Sequence, residues 1–325
     1  MWGLTSLTLV ATALTGCKIG DTNYVFFKKH TDSKTVFTVN DTKVSVKEAK
    51  LYLCNYKNLY GNPYDLDLWQ YEEYTEDLES YVKDVTISEL TRVVLMNLMA
   101  KEQGITLTEE EEAQAEACGK AYYATLTEDE QEFIGASESQ VITYYKEYAT
   151  AVKLYNTLTE GIDEEVSDDE ARVISIQEIY VKSEEDKEAV EAALAEGNTF
   201  SSVASTYSEL TTIEATVARG ELPEAVENVA FDLNDGETSE AIEVDGHYYF
   251  IYCVNKYEEE LTEANKSTIL VQREIDQFDN RYEEYVASSE FEFNTDLWDS
   301  VTIDTGLAIE TDSFFALYEE YFGED

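Results

Sequence analysis

The feature that most constrains this 325-residue chain is a change of hydrophobic period at Ala171 that is reversed after Val254. Upstream, Ile87, Leu90, Val94 and Leu98 recur at three- and four-residue steps, the spacing of one apolar helix face. From Arg172 to Val181 the chain becomes β-branched and nearly continuous, as in a strand buried on both faces. Gly246 to Val254 is a second such strand, and a helical step returns from about Leu261 to Val286 through Ile269, Ile275, Phe278, Tyr282 and Tyr285. This order predicts a small α+β unit set inside a helical one.

Local signals refine the boundaries. Val36 to Val39 reads as a short strand turned at Asn40-Asp41, and Ser45-x-x-Glu48 opens a helix through about Tyr60 that Gly61-Asn62-Pro63 stops. A long helix runs from about Leu78 to Gln103, where Gly104 ends it. Thr108-x-x-Glu111, Thr127-x-x-Glu130 and Ser137-x-x-Gln140 place hydroxyl acceptors over three further helix starts. Ser183 caps a helix carrying Ala189, Val190, Ala193 and Leu194, and a shorter one carries Phe200, Val203, Ala204 and Tyr207. Phe291-Glu292-Phe293 alternates like a strand suited to pair with Val36 to Val39. The expected segments are a leader (1–17), a tether (18–35), a helical domain (36–165), an α+β domain (171–257), a returning helix and strand (258–294) and an acidic tail (295–325).

The leader carries its own chemistry. Leu4 to Leu14 is apolar but too short to cross a hydrocarbon core of about 30 Å, as in a signal-peptide h-region. Leu14-Thr15-Gly16-Cys17 has the order of a bacterial lipobox, which predicts export, a lipid on Cys17 and an extracytoplasmic protein anchored to the cell membrane. Residues 1–60 hold eight lysines against four acids, whereas the whole chain has 22 basic and 70 acidic residues and a net charge of −48. The mildly basic end suits an anionic bilayer, and the acidic body argues against nucleic acid as a partner. Cys54, Cys118 and Cys253 are odd in number and widely spaced, so they read as small buried apolar residues.

Several stretches together resemble the PrsA/SurA-type extracytoplasmic foldases. These are Val36-Phe-Thr-Val-Asn40, Ala100-Lys-Glu-Gln-Gly-Ile105, Val166-Ser-Asp-Asp-Glu170, Glu178-Ile-Tyr-Val-Lys182, Gly197-Asn-Thr-Phe200, Tyr207-Ser208, Ala230-Phe231, Gly236-Glu-Thr-Ser239 and Gly246-His-Tyr-Tyr-Phe250. The resemblance covers about Val36 to Asn294. It implies an α+β fold class in which a helical chaperone-like domain is split in sequence around a parvulin-like peptidyl-prolyl isomerase domain.

Peptide-bond rotation faces about 18–20 kcal/mol. Its catalysis needs an apolar grip on proline and polar groups that favour the twisted amide, not a nucleophile or a cofactor. The family's first motif histidine falls on Glu178, and its usual Asp or Cys after Tyr-Ser-x falls on Leu210. Its hydroxyl matches Ser239, and its second histidine falls on Tyr248, with His247 one residue early. The resemblance thus implies Ser239 and Tyr248 as remnant catalytic groups and Leu222, Val226 and Phe231 as the proline-binding floor. Neighbouring strand residues point to opposite faces, so His247 is not expected to replace the missing imidazole without a bulge.

Two histidines, His30 in the tether and His247, with no paired cysteines, supply no usual transition-metal set. Asp232-Leu-Asn-Asp-Gly236 has its glycine one place early for a calcium loop, and no phosphate-binding loop or Gly-x-Ser-x-Gly elbow occurs. The leading expectation is a folding factor that binds unfolded or newly exported polypeptides, with weak or lost isomerase activity. An active isomerase and a surface binding module stay open beside it, as does a dimer.

Overall fold

A computed structural model describes residues 18–19, 22–23, 26–28, 33–63, 66–303 and 306–323. The leader, Cys17 and His30 lie outside the described residues. The chain divides into two compact units, residues 1–160 with 277–325 and residues 161–276.

The first unit opens with the short antiparallel pair β1 (Lys18–Ile19) and β2 (Thr22–Asn23). Next come β3 (Phe26–Lys28), β4 (Thr35–Val39) and β5 (Thr42–Ser45). β4 turns into β5 through Asn40, whose φ of 52° is a left-handed conformation that Asn tolerates better than most residues. Ser45 then accepts from the Glu48 amide at 3.2 Å and starts α1 (Val46–Gly61).

Helices α2 (Glu72–Gln103), α3 (Glu109–Thr125), α4 (Glu128–Ile134) and α5 (Glu138–Thr159) follow. Capping boxes at Thr108/Glu111 and Thr127/Glu130 form as their spacing predicts, and Gly104 closes α2 in the left-handed region. The α2 stripe buries Ile87, Leu90 and Val94 in a core shared with Leu51 and Tyr52 of α1 and Tyr145 and Leu154 of α5. Gly119 lets α3 approach α5 closely, since a Cβ there would stand 2.7 Å from the Ile142 Cα.

The second unit contains α6 (Asp168–Ala171), β6 (Val173–Val181), α7 (Glu184–Ala195), α8 (Phe200–Tyr207), β7 (Glu214–Ala218), α9 (Glu224–Ala230), β8 (Ile242–Val244) and β9 (His247–Asn255). Its sheet is antiparallel in the order β7-β6-β9-β8. On one face Ile179, Val181 and Phe250 pack with Val190, Phe200 and Val203 of α7 and α8. On the other, Ile174, Ile176 and Ile251 pack with Val226, Ala230 and Phe231 in and after α9. Cover on both faces is why β6 reads as a continuous apolar run.

Helix α10 (Glu259–Ala287) runs from the second unit back into the first. There β10 (Phe291–Phe293) pairs antiparallel with β4, Phe291 opposite Val39 and Phe293 opposite Phe37, as expected. β10 also pairs parallel with β3, giving the order β3-β10-β4-β5.

Residues 295–325, expected as an acidic tail, instead hold α11 (Thr295–Asp299) and α12 (Phe314–Phe322). Phe314 is fully buried and stacks on Tyr145 with ring centroids 4.2 Å apart. The Glu130 carboxylate accepts from the amides of Glu310 and Thr311 at 2.8 and 2.6 Å. This segment is therefore part of the first unit's core.

Candidate functional site in the α+β unit

Of the sequence-predicted positions, Glu178 and Tyr248 lie on β6 and β9 and Leu210 and Ser239 lie beside them, whereas Leu222, Val226 and Phe231 lie in and around α9. Ser208 positions the loop after α8, because its hydroxyl accepts from the amides of Tyr180 at 3.1 Å and Leu210 at 3.2 Å. The Glu209 amide donates to the Tyr180 carbonyl at 3.0 Å, so the backbone of Leu210 is held beside β6. The Tyr207-Ser208 pair thus has a plain structural task.

Ser239 is likewise committed to backbone. Its amide donates to the Ile251 carbonyl at 2.8 Å, and its hydroxyl accepts from the Ile251 amide at 2.9 Å. The amide of Gly236 donates to the Cys253 carbonyl at 2.8 Å, so residues 236–239 run along β9.

Strand register decides which side chains can meet. Val181 is paired with Tyr248, Tyr180 with Tyr249, and Glu178 with Ile251. Alternation then puts Glu178, Tyr180, His247 and Tyr249 on the α9 face and Tyr248 on the α7 face. The contacts agree. Tyr248 donates its hydroxyl to the Glu184 carboxylate and has the Lys187 ammonium 5.2 Å from its ring, both on α7. The Tyr180 ring lies 5.0 Å from that of Tyr249 and 5.6 Å from that of His247.

Tyr248 is therefore across the sheet from Glu178, whereas His247, expected to face away, shares the side of Glu178. The two-residue turn at Asp245-Gly246, with φ of 52° and 79°, sets this register. Tyr180 and Tyr249 were missed by sequence reasoning. A period-two reading outward from Glu178, with the turn residues counted, is the signal that finds them.

Ser239 and Tyr248 do share one feature, a cavity of about 510 Å³ lined also by Lys187, Leu194 and Phe250 on the α7 face. Leu222, Val226 and Phe231 belong to the other face. Val226 is fully buried and Phe231 is 3% exposed, while Leu222 is half-buried. The guanidinium of Arg219 lies 4.5 Å and that of Arg172 5.2 Å from the Phe231 ring centroid. Val226 and Phe231 are thus occupied with holding the sheet to α9.

Burial raises the Glu178 carboxyl above its ordinary range, and no hydrogen bond or ion pair with another described side chain offsets this. Tyr249 is raised by burial first, then by Tyr180 and by the neighbouring charge of Glu178. Among the described residues no group of three or more His, Cys, Asp or Glu side chains could hold a metal ion. No helix among them is long and apolar enough to cross a membrane.

A four-stranded antiparallel sheet with α7 and α8 on one face and α9 on the other is a small α+β unit, the fold class expected for this part of the chain. Residues 163–265 match the family described as the PPIC-type PPIASE domain, so this part of the chain is a PPIC-type domain. Among solved structures the chain is similar to peptidylprolyl isomerase PrsA from Bacillus cereus, at 18% identity over 75% of this chain and 93% of that one, with a TM-score of 0.40. It is also similar to PrsA from Bacillus subtilis, at 18% identity over 78% and 93% of the two chains, with a TM-score of 0.28. A SurA-like chaperone from Campylobacter jejuni matches at 12% identity over 80% and 98%, with a TM-score of 0.30. No curated protein matches the chain. The resemblance to PrsA/SurA-type foldases holds, with the PPIC-type domain flanked by helical segments.

Proposed function

We propose that this protein is an extracytoplasmic folding factor, held to a membrane by a lipid on Cys17, that binds unfolded exported chains and has little or no isomerase activity. The observation that carries this reading is the state of the PPIC-type site. Glu178 and Leu210 stand at two polar family positions, Ser239 is engaged by the Ile251 backbone, and the floor residues Val226 and Phe231 are buried. Rotation of an X–Pro bond needs an open apolar grip and free polar groups near the twisted amide, and the engagement of Ser239 with the burial of Val226 and Phe231 supports little turnover. The fold retains a half-exposed aromatic face on the sheet, and the net charge of −48 favours basic clients while opposing self-association.

A protease-coupled assay on proline peptides with several residues before proline tests the catalytic half. Rates equal to the uncatalysed reaction are expected, and a clear acceleration would restore the active-isomerase reading. Suppression of aggregation of a reduced, unfolded protein at stoichiometric ratio tests the binding half. Mass spectrometry of the membrane-extracted mature protein tests the anchor: a diacylglyceryl modification on Cys17 is expected, and an unmodified cysteine contradicts it.

A further inference from the structure

The α9 face of the sheet carries a polar cluster that the folding-factor reading does not by itself explain. Glu178 and Tyr180 are two residues apart on β6, and Tyr249 is opposite Tyr180. Glu178 is thus diagonal to Tyr249, near enough for its charge to act on the phenol. The Tyr180 and Tyr249 rings are tilted at 49°, and His247 meets Tyr180 edge-on at 61°. All four residues are half-buried, leaving part of each accessible.

A carboxylate in such a place is costly unless something compensates it. Glu178 has neither a cation nor a donor among the described side chains. Within the same unit, by contrast, Arg219 is held by Asp169 at 2.9 Å and Lys266 by Asp168 at 2.6 Å. Lys182, two residues beyond Tyr180, is engaged by Glu209, and its ammonium lies 5.8 Å from the Tyr180 ring. That ring already tolerates a cation, and the lysine beside it is committed to another acid.

We infer that Glu178, Tyr180 and Tyr249 form a receptor for a cationic side chain, lysine or arginine, presented by an extended client segment. The ammonium or guanidinium rests against the tyrosine rings and pairs with Glu178. The acidic surface of the whole chain adds long-range attraction for the same segments. This rests on the reading of the protein as a binder of unfolded chains, and it names the class of residue that this site selects.

The test uses the full mature chain and fluorescein-labelled peptides of sequence Ala-Ala-X-Pro-Phe-Ala, with X lysine, norleucine or glutamate, followed by anisotropy at fixed ionic strength. The lysine peptide is expected to bind about tenfold tighter than the norleucine peptide, the size of one good cation–π and ion-pair contact. Glu178→Gln is expected to abolish the difference, and Glu178→Lys to reverse it in favour of the glutamate peptide. Thermal melts show that each variant is folded, and the reversal separates this site from the background charge, which Glu178→Lys barely alters. Equal binding of all three peptides, or a lysine preference that survives in Glu178→Lys, overturns the cation receptor and leaves the folding-factor reading standing. Failure of every peptide to bind, together with no effect on aggregation of an unfolded protein, overturns both.

Discussion

Ser239 engages both backbone groups of Ile251, its amide donating to the carbonyl at 2.8 Å and its hydroxyl accepting from the amide at 2.9 Å. Ile251 is fully buried, so its amide has no access to water in place of that hydroxyl. Ser239→Ala is therefore expected to cost about 1–3 kcal/mol, the penalty of an unsatisfied buried donor. Urea denaturation of the variant measures it. If the hydroxyl instead served catalysis, stability would be nearly unchanged and a measurable isomerase rate would fall.

The same kind of measurement applies to the C-terminal segment. Phe314 stacks on Tyr145 at 4.2 Å and meets Tyr122 edge-on at 5.6 Å, while its amide donates to Asn55 at 3.1 Å. Phe314→Ala is expected to destabilise the first unit by about 3–5 kcal/mol. A loss below about 1 kcal/mol in chemical denaturation would mean that this segment is an appendage after all.

A buried acid pair predicts how stability follows pH. Glu48 on α1 is 8% exposed and raised well above its ordinary value by burial first and then by Glu147. Glu147 on α5 is raised by burial, and its Oε2 is buried without a hydrogen-bond partner. Tyr52 and Tyr144 adjoin the pair, and Lys43, Lys101, Lys146 and Glu112 line the cavity beside it. Above the ordinary value of 4.5 the folded protein retains a proton that the unfolded chain has released. The stabilisation is complete below that pH and is lost as pH rises through the raised folded values. Melting temperature should fall from pH 5 to pH 8, and less steeply in Glu147→Gln. At pH 8 that variant should be more stable than the parent, because it no longer holds a second buried carboxylate against Glu48. Parallel pH curves would show that the pair does not titrate in this range.

How far these arguments were legible in the sequence depends on the residue. The capping serines and threonines and the two apolar strands could be read directly, because each is a local pattern, and the alternation of Phe291–Phe293 marked it as a strand able to pair with β4. The C-terminal core segment was hidden because Phe314 and Tyr318 are set among acids that stay on the surface. β7 was missed because Glu214-Ala-Thr-Val-Ala218 is an edge strand in which only Val217 is buried. The reading of the candidate site turns on one residue of register. Aligning on Gly246 selects Tyr248, but the turn gives the Glu178 face to His247 and Tyr249. A one-residue error in a strand moves a side chain through the sheet, so a motif match is weakest where alternation decides its meaning.

The central claim is that this chain holds unfolded clients without turning over their proline bonds. Refolding of a reduced, aggregation-prone protein whose slow phase is limited by X–Pro isomerisation reports both halves in one experiment. With stoichiometric mature protein the refolded yield should rise while the rate of the slow phase stays at its uncatalysed value. An accelerated slow phase, or a yield no higher than without the protein, would contradict the account.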